Sequence, residues 1–179
     1  YKSISQLHTT QNREEKLPTT LDWGSKNFSY LFPQSLDVIS SAFLVIDLPE
    51  ISDGNYRKNP GLYCIKTFRL LSGGSVVYEC NYADVMRDFL ESHDTDRDVE
   101  IFADAHLGYE ANPSGAARQV WLPMLLPNSH CLLRETNSTR GQGVFPCRTG
   151  NQRIEVQLTM HENNQCTTDS SKVAGSINT

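Results

Sequence analysis

A strict two-residue alternation at 153–160 constrains this chain more than any other feature. Ile154, Val156, Leu158 and Met160 take every second place, with Arg153, Glu155, Gln157 and Thr159 between them. Successive side chains of a strand point to opposite faces, so the stretch predicts a strand with one buried and one wet face. Residues 38–48 differ, because Ala42, Phe43, Leu44, Val45 and Ile46 are consecutive. That run predicts a central strand covered on both sides and closed by Pro49. Residues 61–71 and 75–80 flank Ser72-Gly73-Gly74, a pattern that predicts a hairpin with both glycines at positive φ. Residues 120–126 give a further strand, with Pro123 marking an edge or a bulge. Weaker strand patterns occupy 3–9, 25–32, 99–103 and 131–135.

One helix interrupts this series. Asn81 can cap it and Asp84 stands in its first turn, while Tyr82, Val85, Met86, Phe89 and Leu90 follow at helical spacing. Strands separated by turn signals, with one short amphipathic helix after a hairpin, predict an all-β fold: an eight-stranded jelly-roll sandwich. The connections at 93–119 and 128–143 are long, and such connections carry contacts more than fold information. From 162 to 179 the chain turns polar, with Val173 and Ile177 as its sizeable aliphatics. The expected division is therefore a domain at 1–161 and a linker or arm at 162–179.

Composition narrows the function classes. A chain of 179 residues and 20.1 kDa allows one domain of ordinary size or two small ones. A net charge of −5 without clustered Lys or Arg argues against sequence-specific nucleic-acid binding. The longest apolar runs, 42–46 and 120–126, fall far short of the roughly 20 residues a membrane-spanning helix needs. Cys64, Cys80, Cys131, Cys147 and Cys166 form no Cys-x-x-Cys pair, and their odd number and wide spacing favour free thiols over a zinc site or a complete disulfide framework. Two glycosylation triplets, at Asn27 and Asn137, leave secretion open.

The segment from His93 through Asp94, Asp96 and Asp98 is the most site-like cluster. Its alternate carboxylates resemble the start of a calcium loop, but Val99 stands where that loop needs glycine and Ala105 where it needs a bidentate glutamate. A solvated charge run is the expectation. His8, His93, His106, His130 and His161 lack zinc-site spacing, and no nucleophile elbow occurs. Gly141-Gln142-Gly143 runs into Val144-Phe145-Pro146 instead of a phosphate-binding helix. No catalytic, cofactor-binding or metal-ligating residues are assigned, and no enzyme is expected. Arg118, Arg134, Arg140, Arg148 and Arg153 suggest a mixed surface or interfacial ion pairs. Trp23 and Trp121 fit a β core, or a sugar-stacking platform.

The order of these motifs resembles the double jelly-roll major capsid proteins of nucleocytoplasmic large DNA viruses, virophages and polinton-like viruses. Residues 35–49 close on Asp47-Leu48-Pro49, similar to an early strand of that family. The strand at 56–71, the Gly73-Gly74 hairpin and the helix at 82–90 then follow in the family's order. Leu122-Pro123, and Pro146 ahead of the alternating strand, are similar in spacing as well. The resemblance covers about residues 36 to 160. It departs from the family in placing Met124-Leu125-Leu126 where an aromatic cluster is usual, and in having length for one jelly roll where the family carries two.

The resemblance implies a structural protein of an icosahedral shell, present in the virion and assembled in host cytoplasm or nucleus through trimeric capsomers. Its implied partners are other copies of itself and minor capsid proteins, with a membrane beneath the shell in some relatives. No cofactor is implied. Contacts between subunits are expected from the long connections, at His93, Asp94, Asp96, Asp98, Asn137, Arg140 and Gln142, and from the segment after Met160. A different class remains as the alternative: a β-sandwich module binding carbohydrate or a receptor through Trp23 or Trp121.

Overall fold

The computed structural model describes residues 23–24, 27–33, 36, 38–39, 41–91, 96–127, 145–147 and 152–169. Among these, eight strands follow in order: β1 (Asn27–Leu31), β2 (Val38–Ile39), β3 (Phe43–Leu48), β4 (Ile65–Ser72), β5 (Ser75–Asn81), β6 (Arg118–Pro123), β7 (Phe145–Pro146) and β8 (Ile154–Met160). Helices α1 (Tyr82–Glu91) and α2 (Asp96–Phe102) stand between β5 and β6. The described strands pair antiparallel in a four-stranded sheet of order β1-β8-β4-β5 and two ribbons, β2-β7 and β3-β6. The expectation of antiparallel β structure is met. The first and last of these strands lie side by side, with Asn27 opposite Thr159.

Alternation in β8 does what the sequence predicts. Ile154, Val156, Leu158 and Met160 are buried, and they meet Phe68 and Leu70 of β4 in one core. The ribbon β3-β6 adds Leu44, Ile46, Leu48, Val120 and Leu122 to that core, so sheet and ribbons share a single apolar interior. Gly73 and Gly74 close the β4-β5 hairpin at φ 57° and 84°, the positive values that a two-residue hairpin turn requires.

Four expectations are corrected. β3 is not covered on both sides: Leu44, Ile46 and Leu48 are buried, while Phe43 and Asp47 on the opposite face are exposed. A run of apolar residues does not by its periodicity distinguish a doubly buried strand from a half-buried one. The strand expected from residue 61 begins at Ile65, since Pro60 starts a 3-10 turn over Pro60–Tyr63. The strand expected through 120–126 ends at Pro123; Met124, Leu125 and Leu126 are buried off the ladder, with the Met124 amide donating to the Ala42 carbonyl at 2.8 Å. Residues 99–103 are helical instead of extended, and α2 continues into a wider π-type turn over Ala103–Leu107. Val99, Phe102, Ala103, His106 and Leu107 recur at i, i+3, i+4, i+7 and i+8, so the helical signal was present in the sequence. The pattern at 25–32 becomes β1, while those at 3–9 and 131–135 lie outside the described residues.

The helix α1 forms where its cap predicts. The Ala83 and Asp84 amides donate to Asn81 Oδ1 at 3.1 and 3.4 Å, satisfying two of the free donors at the helix start. Tyr82, Ala83, Met86 and Leu90 form its buried stripe, and Tyr82 Oη donates to the Pro123 carbonyl at 3.1 Å. Asn81→Ala is expected to cost about 1 kcal/mol, lowering the melting temperature by roughly 3 °C in a circular-dichroism melt. An unchanged melt would mean that water caps the helix equally well.

Residues 162–169 pack on the domain. The turn Asn163–Cys166 is followed by a bridge between Thr167 and Tyr56, flanked by Arg57 N–H to the Cys166 carbonyl at 2.8 Å and Thr168 N–H to the Asn55 carbonyl at 2.9 Å. Residues 170–179 lie outside the described ones.

Candidate interaction surfaces

The connection ahead of β6 is organised by one arginine. Arg118 donates to Glu110 Oε2 at 3.0 Å, to the Gly108 and Ser114 carbonyls at 3.2 Å each and to Ser114 Oγ at 3.3 Å. Its guanidinium also lies 5.0 Å from the centre of the Tyr56 ring. The side chain is 10% exposed, so it holds the protein's own loop together and does not serve the mixed surface or interface expected for it. Burial pushes the Glu110 carboxyl up, but hydrogen bonds from Ser114 and Arg118 and the arginine's charge outweigh it and hold the group below its usual range. Burial raises the Tyr56 phenol to about 12, and its hydroxyl donates to the Pro49 carbonyl at 2.5 Å.

The outer face of β3-β6 is exposed at Phe43, Asp47, Gln119 and Trp121. Val45 faces Trp121 across the ribbon and Asp47 faces Gln119. Trp121 is 42% exposed; its Nε1 donates to Gln119 Oε1, and Gln119 Nε2 donates to Asp47 Oδ1, both at 2.8 Å. Phe43 stacks on His106 with ring centres 5.2 Å apart and planes 6° from parallel. His106 also touches Phe102, which touches Phe89, so an aromatic row runs from β3 across the end of α2 to α1. Burial lowers the His106 pKa, against the hydrogen bond its Nδ1 donates to the Trp121 carbonyl, so the ring is uncharged at neutral pH.

Of the expected contact residues, Asp96 and Asp98 are exposed in the first turn of α2, where carboxylates suit the helix dipole. His93, Asp94, Asn137, Arg140 and Gln142 lie outside the described residues. Sequence reasoning missed a cleft of ≈ 380 Å³ lined in part by Arg57, Lys58, Asn59 and Tyr63. Arg57 lies over the Tyr63 ring at 4.7 Å, Lys58 lies over Tyr109 at 5.0 Å, and Asn59 Oδ1 is buried without a hydrogen bond. The adjacent cations Arg57 and Lys58 were the available signal. Also exposed are Val76 and Val77 on β5, the edge of the large sheet. Trp23 is half-buried. Among the described residues no group of three or more His, Cys, Asp or Glu is placed to hold a metal, and no helix is long and apolar enough to cross a membrane.

No family model and no curated protein matches the sequence. Solved structures do. The chain is similar to the PBCV-1 virus capsid in a quasi-atomic model, and to PBCV-1 VP54 fitted into a cryo-EM reconstruction of the virophage Sputnik. Each likeness has a TM-score of 0.62 at 14% identity, across 95% of this chain and 39% of the other. The chain thus spans about two fifths of the length of those capsid chains. At this identity the likeness establishes the fold, and it is the fold to which the motif order pointed.

Proposed function

We propose that the chain is a structural subunit of an icosahedral viral shell, assembling with other copies of itself through trimeric capsomers. The observation that carries this reading is the likeness to capsid chains over nearly the whole of this one. A shell subunit works by being rigid and having reproducible edges, so it needs no catalytic group, and the single shared core supplies the rigidity. Lattice and trimer contacts fall to the connections, at His93, Asp94, Asp96, Asp98, Asn137, Arg140 and Gln142, with minor capsid proteins as further neighbours. The setting is the virion, assembled in host cytoplasm or nucleus.

Light scattering of the purified chain tests this. A stable species at three times the 20.1 kDa subunit mass, or a shell-sized particle, is the expected result. A strict monomer that also retains a sugar on a glycan array would overturn it.

One observation favours the second reading, a saccharide-binding sandwich: exposed Trp121 lies beside the hydrogen-bonded Gln119–Asp47 pair. An open indole face with adjoining polar groups suits a pyranose ring. Glycan retention that disappears in Trp121→Ala would support that reading.

A further inference from the structure

Cys64 and Cys166, 102 positions apart in sequence, bring their sulfurs within 3.9 Å of each other. Both residues are fully buried. Cys64 ends the 3-10 turn Pro60–Tyr63, and its carbonyl accepts from the His161 amide at 3.0 Å. Cys166 ends the turn Asn163–Cys166, and its carbonyl accepts from the Arg57 amide at 2.8 Å. Both backbones are therefore anchored, with the sulfurs facing across the seam between the domain and residues 162–169. In the thiol form the protons have carbonyl partners: Cys64 Sγ donates to Pro60 at 3.5 Å, and Cys166 Sγ to Tyr63 at 3.3 Å. A disulfide needs a sulfur separation of about 2 Å, so closure requires travel of roughly 2 Å, within reach of side-chain rotation.

We propose that Cys64 and Cys166 are a covalent cross-linking site: a dithiol in a reducing compartment, and a cystine that fastens residues 162–169 to the domain once the protein meets an oxidant. The oxidant class is a small-molecule disulfide. While the seam is closed both thiols are shielded, and contact with the Cys64 sulfur, together with burial, holds the Cys166 thiol protonated. Exchange begins when the seam opens locally. One cysteine, as thiolate, attacks the small disulfide, forming a mixed disulfide and releasing one small thiol. On reclosure the second cysteine's thiolate attacks the protein sulfur of that mixed disulfide, forming the Cys64–Cys166 bond and releasing the second small thiol. Two protein thiols give up two electrons and two protons, and one small disulfide becomes two thiols. Only the timing, reduced during assembly and oxidised after release, rests on the capsid reading.

The test treats the folded full chain with oxidised glutathione, blocks residual thiols with iodoacetamide and maps the peptides by mass spectrometry. The expected product is a Cys64–Cys166 linked peptide lighter by two hydrogens. It should come with a melting temperature raised by roughly 5–10 °C that returns to its starting value with dithiothreitol. Cys64→Ser should lose both the linked peptide and the rise. Pairing through Cys80 or Cys147 instead, glutathione adducts alone at Cys64 and Cys166, or a cystine that leaves the melt unchanged would overturn the proposal. These readouts need no assembled shell, so a strict monomer that retains a sugar overturns the capsid reading without touching this one.

Discussion

Replacing Arg118 by methionine is expected to lower stability by about 3 kcal/mol, roughly 10 °C in a thermal melt. Methionine keeps most of the apolar length but removes donors to Glu110, Ser114 and the Gly108 carbonyl, and the cation over Tyr56. Glu110 gives the substitution a pH signature. Its folded carboxyl titrates below its unfolded value, so its contribution is present above the unfolded pKa and is lost as pH falls through the folded one. The variant lacks the part of that shift that Arg118 supplies, while the Ser114 hydrogen bonds to Glu110 remain. The gap between wild type and Arg118→Met, measured by denaturant titration, should therefore be widest at neutral pH and narrow as pH falls below the usual glutamate range. A gap independent of pH would place the effect in packing against Tyr56 instead of in the ion pair.

Gly115→Ala is the second large effect, at about 3 kcal/mol. A Cβ there would collide with the Ile51 carbonyl oxygen and come within 2.8 Å of the Gly54 carbonyl oxygen. Both obstacles are backbone, and the same contact carries the Ile51 amide to the Gly115 carbonyl at 2.9 Å and the Tyr56 amide to Ser114 at 2.9 Å. Relief of the clash separates two loops that are joined by those bonds. Gly74→Ala provides the comparison: its Cβ meets nothing within 4 Å, though its φ of 84° strains an alanine, at a cost of about 1 kcal/mol. Chemical denaturation of the two variants should give the larger loss at Gly115; equal losses would show that the loop yields without breaking its bonds.

Neither effect was visible in the chain as text. Ser114-Gly115 sits in a connection with no periodic pattern, and nothing local shows that Ile51 and Gly54 lie against it. Arg118 reads as one more surface arginine until the fold encloses it. The acidic segment was legible as charge, but the helix that begins at Asp96 was overlooked because its stripe runs through His106 and Ala103, both weak as apolar markers. The aromatic row from Phe43 to Phe89 joins residues 46 positions apart, and the cleft at Arg57 draws on Pro113 and Thr168 as well as its own loop.

What the sequence determined by itself is local: the faces of β8, the Gly73-Gly74 hairpin and the Asn81-capped helix. In each, the residues that decide the conformation are within about eight positions of one another, and backbone geometry turns their spacing directly into a face or a turn. Motif order extended this to the fold class. Tertiary structure decided what long-range pairing alone can decide. It laid β1 beside β8 and left the outer face of β3 open. It enclosed Arg118 and set two cysteines facing each other across 102 positions. The physical reason is that burial belongs to whichever surface arrives opposite a residue, and neighbours in sequence do not specify that surface.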